Sequence, residues 1–335
     1  MDRRQFALGL LATPALIRTA SAQVTGIRLG KQNGLAYLPQ MVMESEKLIE
    51  KQAAKLGLPS LDVNWSVLGG PGALNDALLS GNIEFINVAL PSLTTLWEKT
   101  AKTSRPVRAL CTVQSMPYVL MTRNPDVKTI ADFTAKDKIA VPTAKISLQA
   151  IMLQMAAAKL WGLENYEKLD PLTVTLGHPD ALAAMLSGRS EITAHFTIAP
   201  FYYYELAAAG MHSVLNTYEL MGGPHSNGIQ VTTTTFHDAN PKVCQAVFAA
   251  HQEANAFIKK NPRQAADIYI AISKDKKSSP EEMVKMIEDP ENDFTVTPAK
   301  VMAMAEFMQK TGRLKAPLNS WKELFLPEAH DLKGS

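Results

Sequence analysis

Four short stretches carry residues that could hold a small polar molecule by hydrogen bonding. Gln32-Asn33-Gly34 offers amide side chains in a turn. Gly69-Gly70-Pro71-Gly72 removes side chains, so a ligand can approach the backbone closely. Ser92, directly after Pro91, supplies a hydroxyl as a helix N-cap, and Ser147 does the same ahead of the apolar run Leu148 to Trp161. Each stretch is expected at a strand end before a helix. Unpaired N–H groups and the positive dipole end there suit an anion. Caps and turns need these residue types anyway, so no single loop decides the matter. Their common placement points to a cleft at the carboxyl ends of strands.

Further candidates are His195 and Thr197 beyond a later strand, and Asn227 at the start of a strand-like segment. A lone histidine in such a place also reads as structural. Tyr37 and Tyr118 could stack on a neutral or aromatic ligand. Arg123 and Lys145 are the cations nearest these loops in sequence, and both also read as surface residues. The Tyr202-Tyr203-Tyr204 run is expected to split between one buried ring and two at the surface. The chemistry of turnover has no counterpart here. There is no G-x-S-x-G, no H-E-x-x-H, no Walker loop and no complete G-x-G-x-x-G, and the seven histidines lack metal-ligand spacing. No catalytic residue, metal or cofactor is expected.

The elements that must position these residues alternate strand and helix. Gly26 to Gln32 reads as a strand, and one amphipathic helix is predicted from Leu38 to Leu56, closed by Gly57 and Pro59. Leu61 to Val67 and Glu84 to Val88 read as strands, with a helix from Ala73 to Ser80 between them. This order is that of α/β lobes with largely parallel sheets. An internal echo supports two such units. LGGPGALNDALLSG at 68–81 reappears as LGHPDALAAMLSG at 176–188. Both copies place proline near the helix start and glycine just past its end. Lobe one is expected over 23–115 plus 225–335, and lobe two over 116–224. The crossings near Tyr118 and Asn227 would form a hinge.

The first 22 residues stand apart. Arg3 and Arg4 precede an apolar stretch from Ala7 to Ile17, and Ala20-Ser21-Ala22 is a small-x-small cleavage signature. The Arg3-Arg4-x-Phe6 order fits a twin-arginine signal, with an ordinary secretory signal as the alternative. Cleavage after Ala22 would leave a periplasmic chain starting at Gln23. The whole chain has 34 Lys+Arg and 32 Asp+Glu; removing Arg3, Arg4, Arg18 and Asp2 leaves 31 of each. A neutral chain carries no electrostatic footprint for nucleic acid. Cys111 and Cys244 read as buried free thiols in a strand and a helix.

With NGLAYLP, VLGGPGALNDALLSGNIEF, PDALAAMLSGRSEI and FMQKTGRLKAPLNSWKELF in this order, nearly the whole mature chain resembles the nitrate/sulfonate/taurine family of periplasmic substrate-binding proteins. The resemblance implies a bilobal type II periplasmic-binding fold, hinge closure on a small organic anion, and delivery by a monomer to an ABC permease. On the family's ligand positions fall Gln32, Asn33, Gly70, Ser92 and Ser147, and His195 and Asn227 match cleft-facing positions. The family is also similar to thiamine-pyrimidine-synthesis enzymes, but their cysteine-rich motif is missing here. An exported enzyme of the same fold, and a ligand sensor for a membrane receptor, are the alternative functions.

Overall fold

The computed structural model describes residues 24–335 apart from Asn33 and Gly69. The expected signal peptide, its cleavage site and the Asn33 side chain lie outside the described residues.

Two five-stranded sheets organise the chain. The first is built from β1 (Gly26–Lys31), β2 (Asp62–Val67), β3 (Phe85–Val88), β4 (Val107–Ser115) and, much later, β10 (Ser226–Thr233). The second takes β5 (Val119–Thr122), β6 (Ile139–Val141), β7 (Thr173–Thr175), β8 (Ala194–Thr197) and β9 (His212–Asn216). Their orders, β2-β1-β3-β10-β4 and β7-β6-β8-β5-β9, follow one plan. Three parallel strands are followed by two joined antiparallel. The chain crosses between the sheets after β4 and returns before β10.

Helices cover both sheets. In the first half these are α1 (Leu38–Ser45), α2 (Leu48–Lys55), α3 (Pro71–Ser80) and α4 (Leu90–Thr100). The second sheet carries α5 (Leu148–Trp161), α6 (His178–Ser187), α7 (Phe201–Leu206) and α8 (Thr217–Met221). After β10 come α9 (Thr234–Ala239), α10 (Pro241–Lys260), α11 (Pro262–Ser273), α12 (Pro280–Glu288) and α13 (Val301–Lys310). Both echo helices, α3 and α6, have proline in the first turn and end on a left-handed glycine, Gly81 or Gly188. That is the cap geometry their sequences specify.

The single helix expected over 38–56 is two. Lys47 adopts a left-handed conformation (φ 51°) and separates α1 from α2. The apolar spacing runs on through the break because Val42, Leu48 and Ile49 all reach the core.

β10 departs from the alternation its sequence suggests: every residue is buried on both faces. Its polar side chains find partners inside. The Gln230 Oε1 accepts from Gln40 and from His251 Nε2, at 3.0 and 3.1 Å, and Thr232 donates to the Glu84 carbonyl at 2.8 Å. Satisfied polar groups of this kind fix one packing register. Cys111 in β4 and Cys244 in α10 are buried and unbridged.

Candidate functional site

Between the two sheets lies a cavity of about 70 Å³. The first half supplies Gln32 after β1, Tyr37, Pro71 at the start of α3, Asn87 in β3 and Ser92 in α4. The two crossings supply Gln114, Tyr118 and Asn227. The second half supplies Ser147, Leu148 and Gln149 at the start of α5, and His178 at the start of α6. The first turns of four helices, α3, α4, α5 and α6, therefore meet around one space. Each such turn leaves backbone N–H groups without intrahelical partners.

Of the expected residues, Gln32, Ser92, Tyr118, Ser147 and Asn227 line this cavity. Ser147 caps α5, its hydroxyl accepting from the Ala150 N–H at 3.4 Å. Ser92 is not an N-cap. Ala89 holds that position, and Ser92 is the third residue of α4, its hydroxyl paired with the Asn75 amide at 2.9 and 3.0 Å. Gly70 is the residue before α3 and does not line the cavity; its neighbour Pro71 does. His195 does not line it either. It is fully buried behind His178, because β8 turns that side chain away from the space and toward α7.

The cations nearest in sequence are also elsewhere. Arg123 is held by the backbone carbonyls of Ile192 (2.9 Å) and Ser190, and Lys145 sits at a left-handed turn. Among the described residues no Arg or Lys lines the cavity. Its polarity comes from amides, hydroxyls, phenols and one imidazole. Burial pushes the Tyr37 and Tyr118 phenols well up, so both stay protonated donors.

The sequence reading missed His178, Gln149, Asn87 and Gln114. Asn87 had a signal, as the one polar residue of an otherwise apolar strand, whereas Gln114 is one of several polar residues in β4. His178 had one as well, since it replaces a glycine in the second copy of the echo.

Around the crossings the two strands are tied together. Asn227 donates to the Met116 carbonyl at 2.6 Å, and the Ser115 hydroxyl donates to the His225 carbonyl at 2.8 Å. The tyrosine run adds a separate tie: Tyr202 is buried, while Tyr203 and Tyr204 donate to Asp289 and Asp275 at 2.5 and 2.7 Å. Behind the cavity, His178 Nδ1 lies 2.8 Å from His195 Nε2, and His195 Nδ1 lies 2.6 Å from Glu205 Oε1.

This architecture is the two-lobed type II periplasmic-binding fold. The chain is similar to the alkanesulfonate-binding protein SsuA from Xanthomonas axonopodis pv. citri bound to MOPS, with TM-score 0.68, 17% identity, and coverage of 88% of this chain and 96% of that one. It is also similar to the periplasmic aliphatic sulphonate binding protein SsuA from Escherichia coli, with TM-score 0.66, 18% identity and coverage of 89% and 98%. The periplasmic nitrate-binding protein NrtA from Synechocystis PCC 6803 gives TM-score 0.66, 17% identity and coverage of 90% and 84%. The solved neighbours thus include the sulfonate and nitrate binders that the sequence resembles. At these identities the likeness establishes the fold. No family model and no curated protein matches the sequence.

Proposed function

We propose that this chain is the substrate-binding component of an uptake system, capturing a small organic anion between its lobes and delivering it to a membrane permease. One observation carries the reading: the first turns of four helices meet at a cavity lined by neutral hydrogen-bond donors. Such turns hold anions through backbone N–H groups and the dipole, without a fixed cation. The size agrees. The cavity exceeds the roughly 10–15 Å³ needed for a single water several-fold, so it has room for a compact ligand such as a short sulfonate. The names of the neighbours above support the same class.

On this reading the mature protein begins at Gln23 and works as a periplasmic monomer. Lobe one comprises 23–115 and 225–335, lobe two comprises 116–224, and closure turns on the tied crossings near Tyr118 and Asn227. It is a binder and not an enzyme. A second reading has its own support. Because no Arg or Lys among the described residues lines the cavity, a neutral ring compound held between Tyr37, Tyr118 and the amides would meet no unpaired charge there.

A thermal-shift screen with methanesulfonate, taurine, nitrate, pyrimidines and aromatic acids tests both readings. A ligand at 100 times its Kd adds about 2.7 kcal/mol, a Tm rise of about 4 °C for a chain of this length. A sulfonate or nitrate hit, recovered chemically unchanged, is the expected result. A response to pyrimidines alone would replace the anion with the neutral ring, and conversion of the ligand would replace the binder with an enzyme.

A further inference from the structure

His178, His195 and Glu205 form a chain from the cavity into the core of the second lobe. Only His178 reaches the cavity, beside Gln149, whose Nε2 lies 3.2 Å from His178 Nε2. Phe201 stacks on the His178 ring at 5.3 Å between centroids. His195 and Glu205 are fully buried, and Glu205 Oε2 has no hydrogen-bond partner.

Each contact in the chain needs one proton between its two atoms, and this constrains the whole. Consider Glu205 ionised and both rings neutral. The carboxylate accepts from His195 Nδ1–H. His195 Nε2 is then a lone pair and accepts from His178 Nδ1–H. His178 Nε2 is left as an acceptor facing the cavity, and the Gln149 amide donates to it. Now add one proton to the buried pair. Whether it rests on Glu205 or on His195, His195 Nε2 carries hydrogen and donates to His178 Nδ1. His178 Nε2 then carries hydrogen, and the cavity gains a donor. Gln149 meets it by turning its amide, since its oxygen and nitrogen exchange places.

We propose that one proton held on the Glu205–His195 pair sets the hydrogen-bond polarity that His178 presents to the ligand, and that an anion is bound in the protonated, donor form. This rests on the anion reading of the same cavity. The charge balance favours it. The protonated chain is neutral, whereas the deprotonated one buries a half-satisfied carboxylate behind the anion site, which is costly. Burial raises the Glu205 carboxyl to about 8 and lowers His195 to about 3, with His178 also well below its ordinary value. Both directions favour the form of the pair that carries no net charge.

The packed elements offer few competing charges. α7 adds the phenols of Tyr202, Tyr203 and Tyr204, all raised by burial. α6 adds Asp180, which is exposed, and α5 adds Lys159 at its far end. β9 adds His212, bonded to the Val127 carbonyl at 2.7 Å; β5 and β6 carry no ionisable side chain. Beyond α7, Lys274, Asp275, Lys276 and Lys277 line a separate cavity with Phe201 and Tyr204. His178 is thus a specificity-determining residue, and His195 and Glu205 are positioning residues acting through it.

Calorimetric titration with methanesulfonate, whose charge does not change with pH, tests the inference in the wild type and in Glu205→Gln. The wild-type Kd should rise about tenfold per pH unit above the chain's apparent pKa, with one proton taken up per ligand. Glu205→Gln should remove that slope. A pH-independent wild-type Kd, or an unchanged slope in Glu205→Gln, overturns the proposal. If methanesulfonate binds at no pH, the anion reading fails by itself, and histidine ¹⁵N NMR of the ligand-free wild type decides the chain separately. A change of His178 from the Nε2–H to the Nδ1–H tautomer as pH rises supports it. One tautomer from pH 6 to pH 9.5 overturns it, and this measurement needs no variant to fold.

Discussion

Gly70 and His178 occupy the same place in two copies of one unit, each just before the echo proline. The register of the two sheets extends the correspondence. Gly30 of β1 pairs with Ile86 of β3, and Ala140 of β6 pairs with His195 of β8. Ten residues further along, Leu96 in α4 stands where Glu205 stands in α7. The first lobe thus has Gly70, Ile86 and Leu96 where the second has His178, His195 and Glu205. In one copy the helix start offers only backbone, over an apolar interior. In the other the same scaffold carries a polar chain from cavity to core. The comparison shows that the repeated backbone supplies the convergent helix ends, and that the chemistry distinguishing the lobes lies in a few side chains behind one of them.

The largest test places a lone carboxyl in the apolar copy. Leu96→Glu has no histidine behind it and should cost about 3–5 kcal/mol, as an uncompensated buried charge does. Thermal unfolding should show a Tm loss of more than about 5 °C. Wild-type stability in that variant would mean that the partners of Glu205 are not what makes its burial tolerable.

Next in size is the pair of substitutions at the cavity edge. His178→Gly, which makes the second copy like the first, should weaken binding of a responsive anion by about 1.5–3 kcal/mol, the range for a hydrogen bond to a charged group. Gly70→Ala should change stability by no more than about 0.5 kcal/mol. An added Cβ there meets nothing within 4 Å, and its φ of 178° is ordinary extended backbone. Equal binding losses at the two sites would break the comparison.

The smallest effect per step is on stability against pH. Glu205 has its folded pKa raised to about 8, so it holds a proton that the unfolded chain releases. Its contribution is complete below the ordinary carboxylate range and is lost as pH rises to about 8. His225 and His251, lowered to about 4 and about 3, act in the opposite sense. Their contribution is present above the ordinary histidine value near 6.5 and is lost as pH falls toward those lowered values. Each group contributes a slope of about 1.4 kcal/mol per pH unit in its window. Denaturant midpoints should peak near pH 6.5, and Glu205→Gln should flatten the alkaline side and steepen the rise on the acid side above the ordinary carboxylate range.

Much of this arrangement was legible in the sequence. Proline and glycine bracket α3 and α6 in both copies, and Ser147 marks the start of α5, because caps are local and their residues are chosen for backbone reasons. Gln32, Ser92, Tyr118, Ser147 and Asn227 lie where strand ends were expected to gather. The break at Lys47 was not legible, because the apolar spacing on either side of it fits one helix as well as two. Glu205 was equally silent: an acid five residues past Pro200 reads as solvent-facing until the sheet places His195 against it. The Ser92 hydroxyl went wrong for a related reason, since its partner Asn75 comes from a different helix.

The connection between the lobes has a consequence for the order in which the molecule is completed. Ser115 and Ser226 are partners across β4 and β10, so the chain leaves for the second sheet and returns at one point. All five strands of that second sheet fall in the stretch between them. The first sheet lacks the strand that joins β3 to β4 until β10 arrives. Domains generally form in the order in which they emerge. Here the half whose chain begins first must finish last, and the inserted half has every strand it needs before its host does.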